Sequence, residues 1–355
     1  MPDRPLLVTS DPDLLDDLLR VCAAAGAEPR VANDVTAARA CWTDAPIVVL
    51  GDDLSLAGLA SHLPRRGDVL VVSRDLRDAD VWTRAAGLGA ESVVFLPGAQ
   101  SLLVRRIIAA CGELSAPAVT VAVVGGRGGA GASTLSCALA LTAAGRGERT
   151  MLLDADPLGG GLDLVLGCEH SPGLRWPDIS AVGGEISATA LRAALPTVDG
   201  MHLLSCGRAD NQVAPAETVR AVLAAIRPVH QLLVVDLPRR LDSAAETMVL
   251  ETDLVLLVVP AEVRAVAAAA RVAASVGLLT GDVRVVARGP APSGLSPALL
   301  ADRLGLPLAG QLKPEPGLAR SLERGEPPAR SGRGPLADLC RALLENLPRG
   351  QRAAT

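Results

Sequence analysis

The sequence predicts two α/β domains, each built on a doubly wound, mostly parallel sheet, with the smaller one first. Three observations predict this. Residues 5–110 alternate short apolar runs with stretches of helical period. The run from Val119 to Gly125 then leads directly into a glycine cluster and a small-residue helical stretch. Beyond it, further fully apolar runs, two of them ending in aspartate, are separated by helical patterns, as strands covered on both faces require. The 355 residues leave room for about two domains at roughly 150 residues each.

In order, the first domain offers strands at Leu6–Thr9, Arg30–Ala32, Ile47–Leu50, Val69–Ser73 and Ser92–Leu96. Helical patterns lie between them at Leu14–Ala25, Val35–Cys41, Leu54–Leu63 and Val81–Leu88. This spacing resembles the response-regulator receiver domain, a flavodoxin-like sheet. Asp52 falls near that family's phospho-acceptor, Ser73 ends the fourth strand where a hydroxyl is expected, and Asp11 remains of the acidic cluster. Two positions depart: the acidic pair is thinned to Thr9-Ser10-Asp11, and the lysine before the fifth-strand proline is Leu96. Phosphoryl transfer to an aspartate needs a metal and a cation for the phosphoryl oxygens. Asp52 is therefore the candidate phospho-acceptor of a module expected to serve chiefly in docking.

The polar, Gly/Pro-containing stretch around residues 113–118 is the expected linker, dividing a domain at 1–112 from one at 119–346, with a disordered tail at 347–355. The second domain opens with strand, glycine loop and helix, the arrangement whose backbone N–H groups converge on an anion. The P-loop pattern G-x-x-x-x-G-K-[ST] is met by Gly126, Gly131 and Ser133, but Ala132 stands where the phosphate-binding lysine belongs. Lys313 is the only lysine, so the sequence offers no neighbouring one in its place.

A strand at Thr150–Leu153 delivers Asp154 and Asp156, spaced to act on a metal-bound or attacking water. Gly159–Asp163 and Pro172–Pro177 read equally as a switch segment or as a long loop. Leu191–Leu195 is a helix end, Met201–Ser205 a strand and Ala216–Arg227 a helix. Gln231–Pro238 carries four apolar residues ending in Asp236, the Walker B pattern that holds magnesium. Asp253–Pro260 and Val283–Ala287 are strands around a helix at Val263–Val276. Leu306–Gly310 and Leu312–Glu315 close the sheet, and Gly317–Arg324 and Leu336–Leu344 are the final helices.

The composition narrows the function classes. A net charge of -5 argues against general nucleic-acid binding, and no nucleic-acid motif is present. With Trp42, Trp82, Trp176 and Phe95 as the only aromatics, base-stacking platforms are not expected. The 7 cysteines are scattered without a C-x-x-C pair, as in a reduced cytoplasmic protein. The four histidines (62, 170, 202, 230) lack metal-ligand spacing. No signal peptide and no apolar run of the roughly 18 residues a membrane span needs is visible.

Taken together, residues 119–330 resemble the MinD/ParA class of deviant Walker A ATPases, a P-loop NTPase-type fold. Where that class has Lys-Gly-Gly-x-Gly-Lys-[ST]-Thr, this chain has Arg127-Gly128-Gly129-Ala130-Gly131-Ala132-Ser133-Thr134. Asp154-Ala-Asp156, Asp236, the proline-ended strand at Pro260, and Pro314-Glu315 match its further elements. With a receiver-like N-terminus, the whole resembles CpaE, and more narrowly the actinobacterial CpaE-like septum site-determining (Ssd) proteins.

The resemblance implies ATP and Mg2+ as ligands, held by Gly126 to Thr134, Asp156 and Asp236, with Ser133 and Asp236 on the metal. It implies a catalytic contribution from Asp154, and from Arg127 across a dimer interface in place of the class's signature lysine. The asparagine that reads adenine aligns with Ala287, beside Arg288. Losing one phosphate cation costs roughly 3–4 kcal/mol of transition-state stabilisation. The expected protein is thus a cytoplasmic spatial regulator of division or of Flp/Tad pilus-secretion machinery, at most a weak ATPase, acting through protein partners. The alternative is an active ATP-hydrolysing switch that dimerises on ATP. In MinD a C-terminal amphipathic helix binds lipid. Here the stripe Leu336, Leu339, Cys340, Leu343, Leu344 reads as a cap on the core, with peripheral contact at a membrane or septum the lesser option.

Overall fold

The computed structural model describes residues 4–54, 63–78, 80–111, 118–182, 186–207, 214–292 and 294–348. Most of the expected helix at Leu54–Leu63, most of the 113–118 linker and most of the 347–355 tail lie outside the described residues. The chain divides into two compact units, Met1–Ala116 with Ser187–Thr189, and Pro117–Ile186 with Ala190–Thr355.

The first unit holds strands β1 (Leu6–Val8), β2 (Arg30–Ala32), β3 (Val48–Gly51), β4 (Val69–Ser73) and β5 (Ser92–Phe95). They pair in parallel in the order β2-β1-β3-β4-β5, the flavodoxin-like order the sequence predicts. β3 and β4 are buried along their whole length, because helices cover both faces of a parallel sheet. The helix Pro12–Ala24 starts where the Asp11 carboxylate accepts from the Asp13 and Leu14 N–H groups, and it buries Leu14, Leu18, Val21 and Cys22 on one stripe. The helix Gln100–Cys111 is absent from the sequence reading, although Leu103 and Ile107 carry its i, i+4 spacing into the core.

Among the described residues the second unit has eight strands: β6 (Val119–Gly125), β7 (Thr150–Asp154), β8 (Thr197–Val198), β9 (Met201–Leu204), β10 (Leu232–Leu237), β11 (Leu254–Pro260), β12 (Val283–Arg288) and β13 (Leu308–Leu312). Their order is β13-β12-β11-β6-β10-β7-β9-β8, parallel except for the β8–β9 hairpin. The two pieces expected at 306–315 are one strand, β13, which pairs with β12 across a bulge between Val285 and Val286. Every residue of β10 and β11 is buried, which explains their unbroken apolar runs. The helix Ala132–Gly145 is buried nearly all round, so its small residues Ala138, Ala140 and Ala143 let it sit close to the sheet. The helix Pro335–Glu345 packs Leu336, Leu339, Cys340, Leu343 and Leu344 into that same core layer. The expected stripe is therefore core surface.

Candidate functional site

The site follows from register. β6 lies between β10 and β11, so its C-terminal end opens into the centre of the sheet, where parallel α/β folds bind ligands. The loop after β6 turns on Gly129 (φ +69°) and Gly131 (φ +94°). Gly131 is the residue before the helix beginning at Ala132, and its left-handed conformation is one a side chain rarely adopts. The first N–H groups of that helix have no intrahelical acceptor, which makes this end an anion seat.

The loop lines a cleft of about 570 Å3. Gly125 and Arg127 to Thr134 form its floor, and Asp156 lines it too. Four cations face this space, Arg127, Arg239, Arg288 and Lys313, against the carboxylates Asp156 and Glu315. Glu315 already accepts from the Leu336 N–H at 2.8 Å, holding the start of the last helix. The sole lysine therefore shares a cleft with Ala132, although the two lie far apart in sequence. Arg288 reaches further. Its Nη1 donates to the Gly129 carbonyl at 2.7 Å.

Gly126, the remaining glycine of the pattern, is buried; a Cβ there would stand 2.7 Å from that of Ala269. Arg127 is tied within the chain: Nη2 meets Glu262 Oε1 at 2.8 Å, and its buried Nε has no partner. Ser133 and Ser136 both donate to Asp236, the latter at 2.8 Å. Asp236 and Asp154 are register partners in the β10–β7 pair, and both are buried. Burial pushes Asp236 up to about 7 and Asp154 up to about 6, against the hydrogen bonds each accepts. A buried, hydroxyl-flanked carboxyl beside a phosphate loop is a fitting seat for a hard divalent cation. Asp154 is otherwise engaged. It accepts from Leu162 N–H and Asp156 N–H, each at 3.2 Å, and so holds the start of the helix Leu162–Val165. Its own carbonyl accepts from the Trp176 indole at 2.8 Å. The segment read as switch or loop is thus pinned to β7 at two points, and the short helices Leu162–Val165 and Trp176–Val182 begin within it.

In the first unit, the carboxylate that gathers the β1 loop is that of Asp53. Its Oδ1 accepts from Thr9 Oγ1 and its Oδ2 from Ser10 Oγ and Ser10 N–H, all at 2.7 Å. Burial opposes ionisation of Asp53, but the bonds from Thr9 and Ser10 outweigh it and hold the carboxyl below its ordinary range. A Cβ on Gly51 would stand 2.0 Å from Asp53 Oδ1, so this carboxylate fills the space beside the end of β3. Asp52, the sequence candidate, accepts none of these bonds; its N–H donates to the Val72 carbonyl at 3.0 Å.

Sequence reasoning missed Arg239, Ser136 and Asp53, and named Arg288 only as the neighbour of Ala287, without a role. Ser136 could have been found from its i, i+3 spacing after Ser133, and Arg239 from its place just past the Walker B aspartate. Arg288 ends a parallel strand at the ligand-binding edge, a weaker signal. Among the described residues, no group of three or more His, Cys, Asp or Glu side chains could hold a metal by itself, and no helix is long and apolar enough to cross a membrane.

Comparison with known proteins agrees with this geometry. Residues 8–118 match the family described as Rv3660c-like, CheY-like N-terminal domain, and residues 118–281 match the family described as cellulose biosynthesis protein BcsQ. The chain is 39% identical over 344 residues to the uncharacterized protein Rv3660c of Mycobacterium tuberculosis, covering 96% of this chain and 97% of that one. Among solved structures, it is similar to a chain of the MinC:MinD cell division protein complex of Aquifex aeolicus (TM-score 0.56, 23% identity, 67% of this chain and 100% of that one). The septum site-determining protein MinD of Pyrococcus horikoshii, complexed with Mg-ADP, gives a TM-score of 0.56 at 17% identity over 67% of this chain and 100% of its own.

Proposed function

Because this chain belongs to the family of the Mycobacterium tuberculosis protein Rv3660c, with a MinD/ParA-type P-loop domain behind a CheY-like one, we propose that it is a nucleotide-dependent spatial regulator. The machinery it would position is that of the division septum or of a Flp/Tad-type pilus-secretion system, and it would do so from the cytoplasm through protein partners. One observation carries the reading: the cleft keeps the glycine loop, the helix start and a surplus of cations around it, although position 132 is alanine. Such a surface favours a polyphosphate.

ATP or ADP would lie along the loop from Gly126 to Thr134, with its phosphates on the backbone N–H groups. Mg2+ would sit at Ser133 and Asp236, where it would neutralise phosphate charge. The residues supply orientation and charge, while the bonds of Asp154 to Leu162 and Asp156 leave it serving the fold more than a proton transfer. Slow or no hydrolysis follows, so partner binding rather than turnover would carry the signal. The MinC:MinD complex and the Mg-ADP complex of the similar proteins support a partner-binding, nucleotide-holding role by analogy. We also infer that residues 113–118 link two domains that fold on their own.

Calorimetric titration of the full chain with ATP and Mg2+, at two protein concentrations, tests this. Micromolar binding is the expected result. No heat and no thermal stabilisation at millimolar ATP would mean that the loop is a relic and the protein a scaffold.

A further inference from the structure

We propose that Arg288, delivered from the end of β12, is the phosphate-binding cation of this cleft and takes the place left empty by Ala132; the inference rests on the nucleotide reading above and names the residue that makes it work. A loop of backbone amides offers partial charges only, so a side-chain cation held close to it strengthens the seat for a polyphosphate. The loop's own arginine, Arg127, is turned to Glu262 at 2.8 Å. Arg239 and Lys313 line the cleft but are exposed.

Among the described residues, Arg288 is neither paired to a carboxylate, as Arg127 is, nor exposed, as Arg239 and Lys313 are. It is half-buried, and its guanidinium is fixed over the loop by the 2.7 Å bond to the Gly129 carbonyl. Its Nη1 lies 3.1 Å and its Cζ 3.6 Å from the point a Cβ on Gly131 would occupy. The charge therefore rests against the two left-handed glycines that shape the seat, one residue short of Ala132. Glycine at 131 leaves the room that the guanidinium fills. Among the described residues no carboxylate pairs with Arg288, whereas Arg127, Arg227 and Arg284 each have one. A guanidinium carries five N–H donors in a planar fork, and the Gly129 bond takes one of them. The remaining donors suit the paired oxygens of a diphosphate.

The ligand class is a diphosphate or triphosphate. It could come from a nucleotide or from inorganic pyrophosphate, and the titrations separate the two. The full chain is titrated with Mg-ADP, with Mg-pyrophosphate and with adenosine, in the wild type and in Arg288→Ala, Arg288→Lys, Lys313→Ala and the double variant Arg288→Ala/Ala132→Lys. Melting curves check that each variant is folded. Wild type should bind ADP and, more weakly, pyrophosphate. Arg288→Ala should weaken both at least tenfold while leaving adenosine within twofold. Arg288→Lys should retain part of the affinity, Lys313→Ala should cost less than threefold, and lysine at position 132 should restore the Arg288→Ala protein. If Arg288→Ala binds ADP and pyrophosphate as wild type does, or if adenosine weakens equally, the assignment to phosphate is wrong and the nucleotide reading stands. If wild type binds neither ADP nor pyrophosphate at millimolar concentration, both fail together.

Discussion

Asp236 and Asp154 stand opposite one another in register on the parallel strands β10 and β7, both nearly free of solvent, and burial raises both above the ordinary carboxylate range. Two acids side by side in a buried sheet are costly to ionise together. Their burial gives the metal-free protein a pH dependence. A carboxyl at about 6 or 7 in the folded chain, against 3.8 unfolded, stays protonated longer when folded. The folded state then holds more protons between about pH 4 and 7, so stability falls as pH rises through that window and levels off above it. Asp236→Asn removes one of these charges while keeping an acceptor for Ser133 and Ser136. It should stabilise the metal-free chain by on the order of 1 kcal/mol at pH 8, much less at pH 5, and abolish Mg2+-dependent nucleotide binding. Denaturant titrations at the two pH values, with and without Mg-ADP, check both halves.

His230 pulls in the opposite direction. It is fully buried, its Nδ1 meets the Ile226 carbonyl at 2.8 Å, and its Nε2 has no partner. Burial lowers it to about 4 from 6.5. Below pH 6.5 the unfolded chain takes up a proton that the folded chain refuses, so this contribution is complete above 6.5 and is lost as pH falls toward 4. The stability gap between wild type and His230→Leu should therefore narrow at pH 5 relative to pH 8, by on the order of 2 kcal/mol. A constant gap would mean that His230 takes up its proton as readily in the folded chain as in the unfolded one.

The C-terminal helix is held by packing. Leu336 and Cys340 have no exposed surface, and a Cβ on Gly310 would lie 2.6 Å from Leu339 Cδ1. Leu336→Ala should cost about 2–5 kcal/mol and Gly310→Val about 1–3 kcal/mol, both read from chemical denaturation. The folded protein should not co-sediment with anionic vesicles.

Asp53 and Asp52 should separate cleanly. Asp53→Ala strands Thr9 and Ser10 and should destabilise the first unit by roughly 1–3 kcal/mol, whereas Asp52→Ala should stay within about 0.5 kcal/mol. Incubation with a small phosphodonor should add no phosphoryl mass, because no lysine stands at Leu96 and the Asp53 oxygens are already taken.

Arg127 tests the alternative of an active switch. Its pair with Glu262 is substantially exposed and so worth only about 0–1 kcal/mol, cheap to exchange for a phosphate on a second copy. Any hydrolysis that rises steeply with protein concentration should vanish in Arg127→Ala and increase in Glu262→Ala. Turnover unchanged in Arg127→Ala would remove the dimer reading.

The sequence by itself determined the α/β class, nearly every strand, the glycine loop and the buried aspartate near the end of β10. These are local facts: apolar period, β-branched runs and turn residues record burial along one stretch of chain. It did not disclose the helix Gln100–Cys111, the union of 306–315 into one strand, or that Asp53 rather than Asp52 faces the β1 loop. A single residue's shift at a strand end turns a side chain to the other face, and periodicity cannot fix it there. Tertiary structure alone decided the charge of the cleft. β6 lies inside the sheet, beside β11, so the far ends of β12 and β13 open at the same edge as the loop. Residues more than 150 positions away, Arg288 and Lys313, thus stand around Ala132, because strand order, not sequence distance, sets which charges meet.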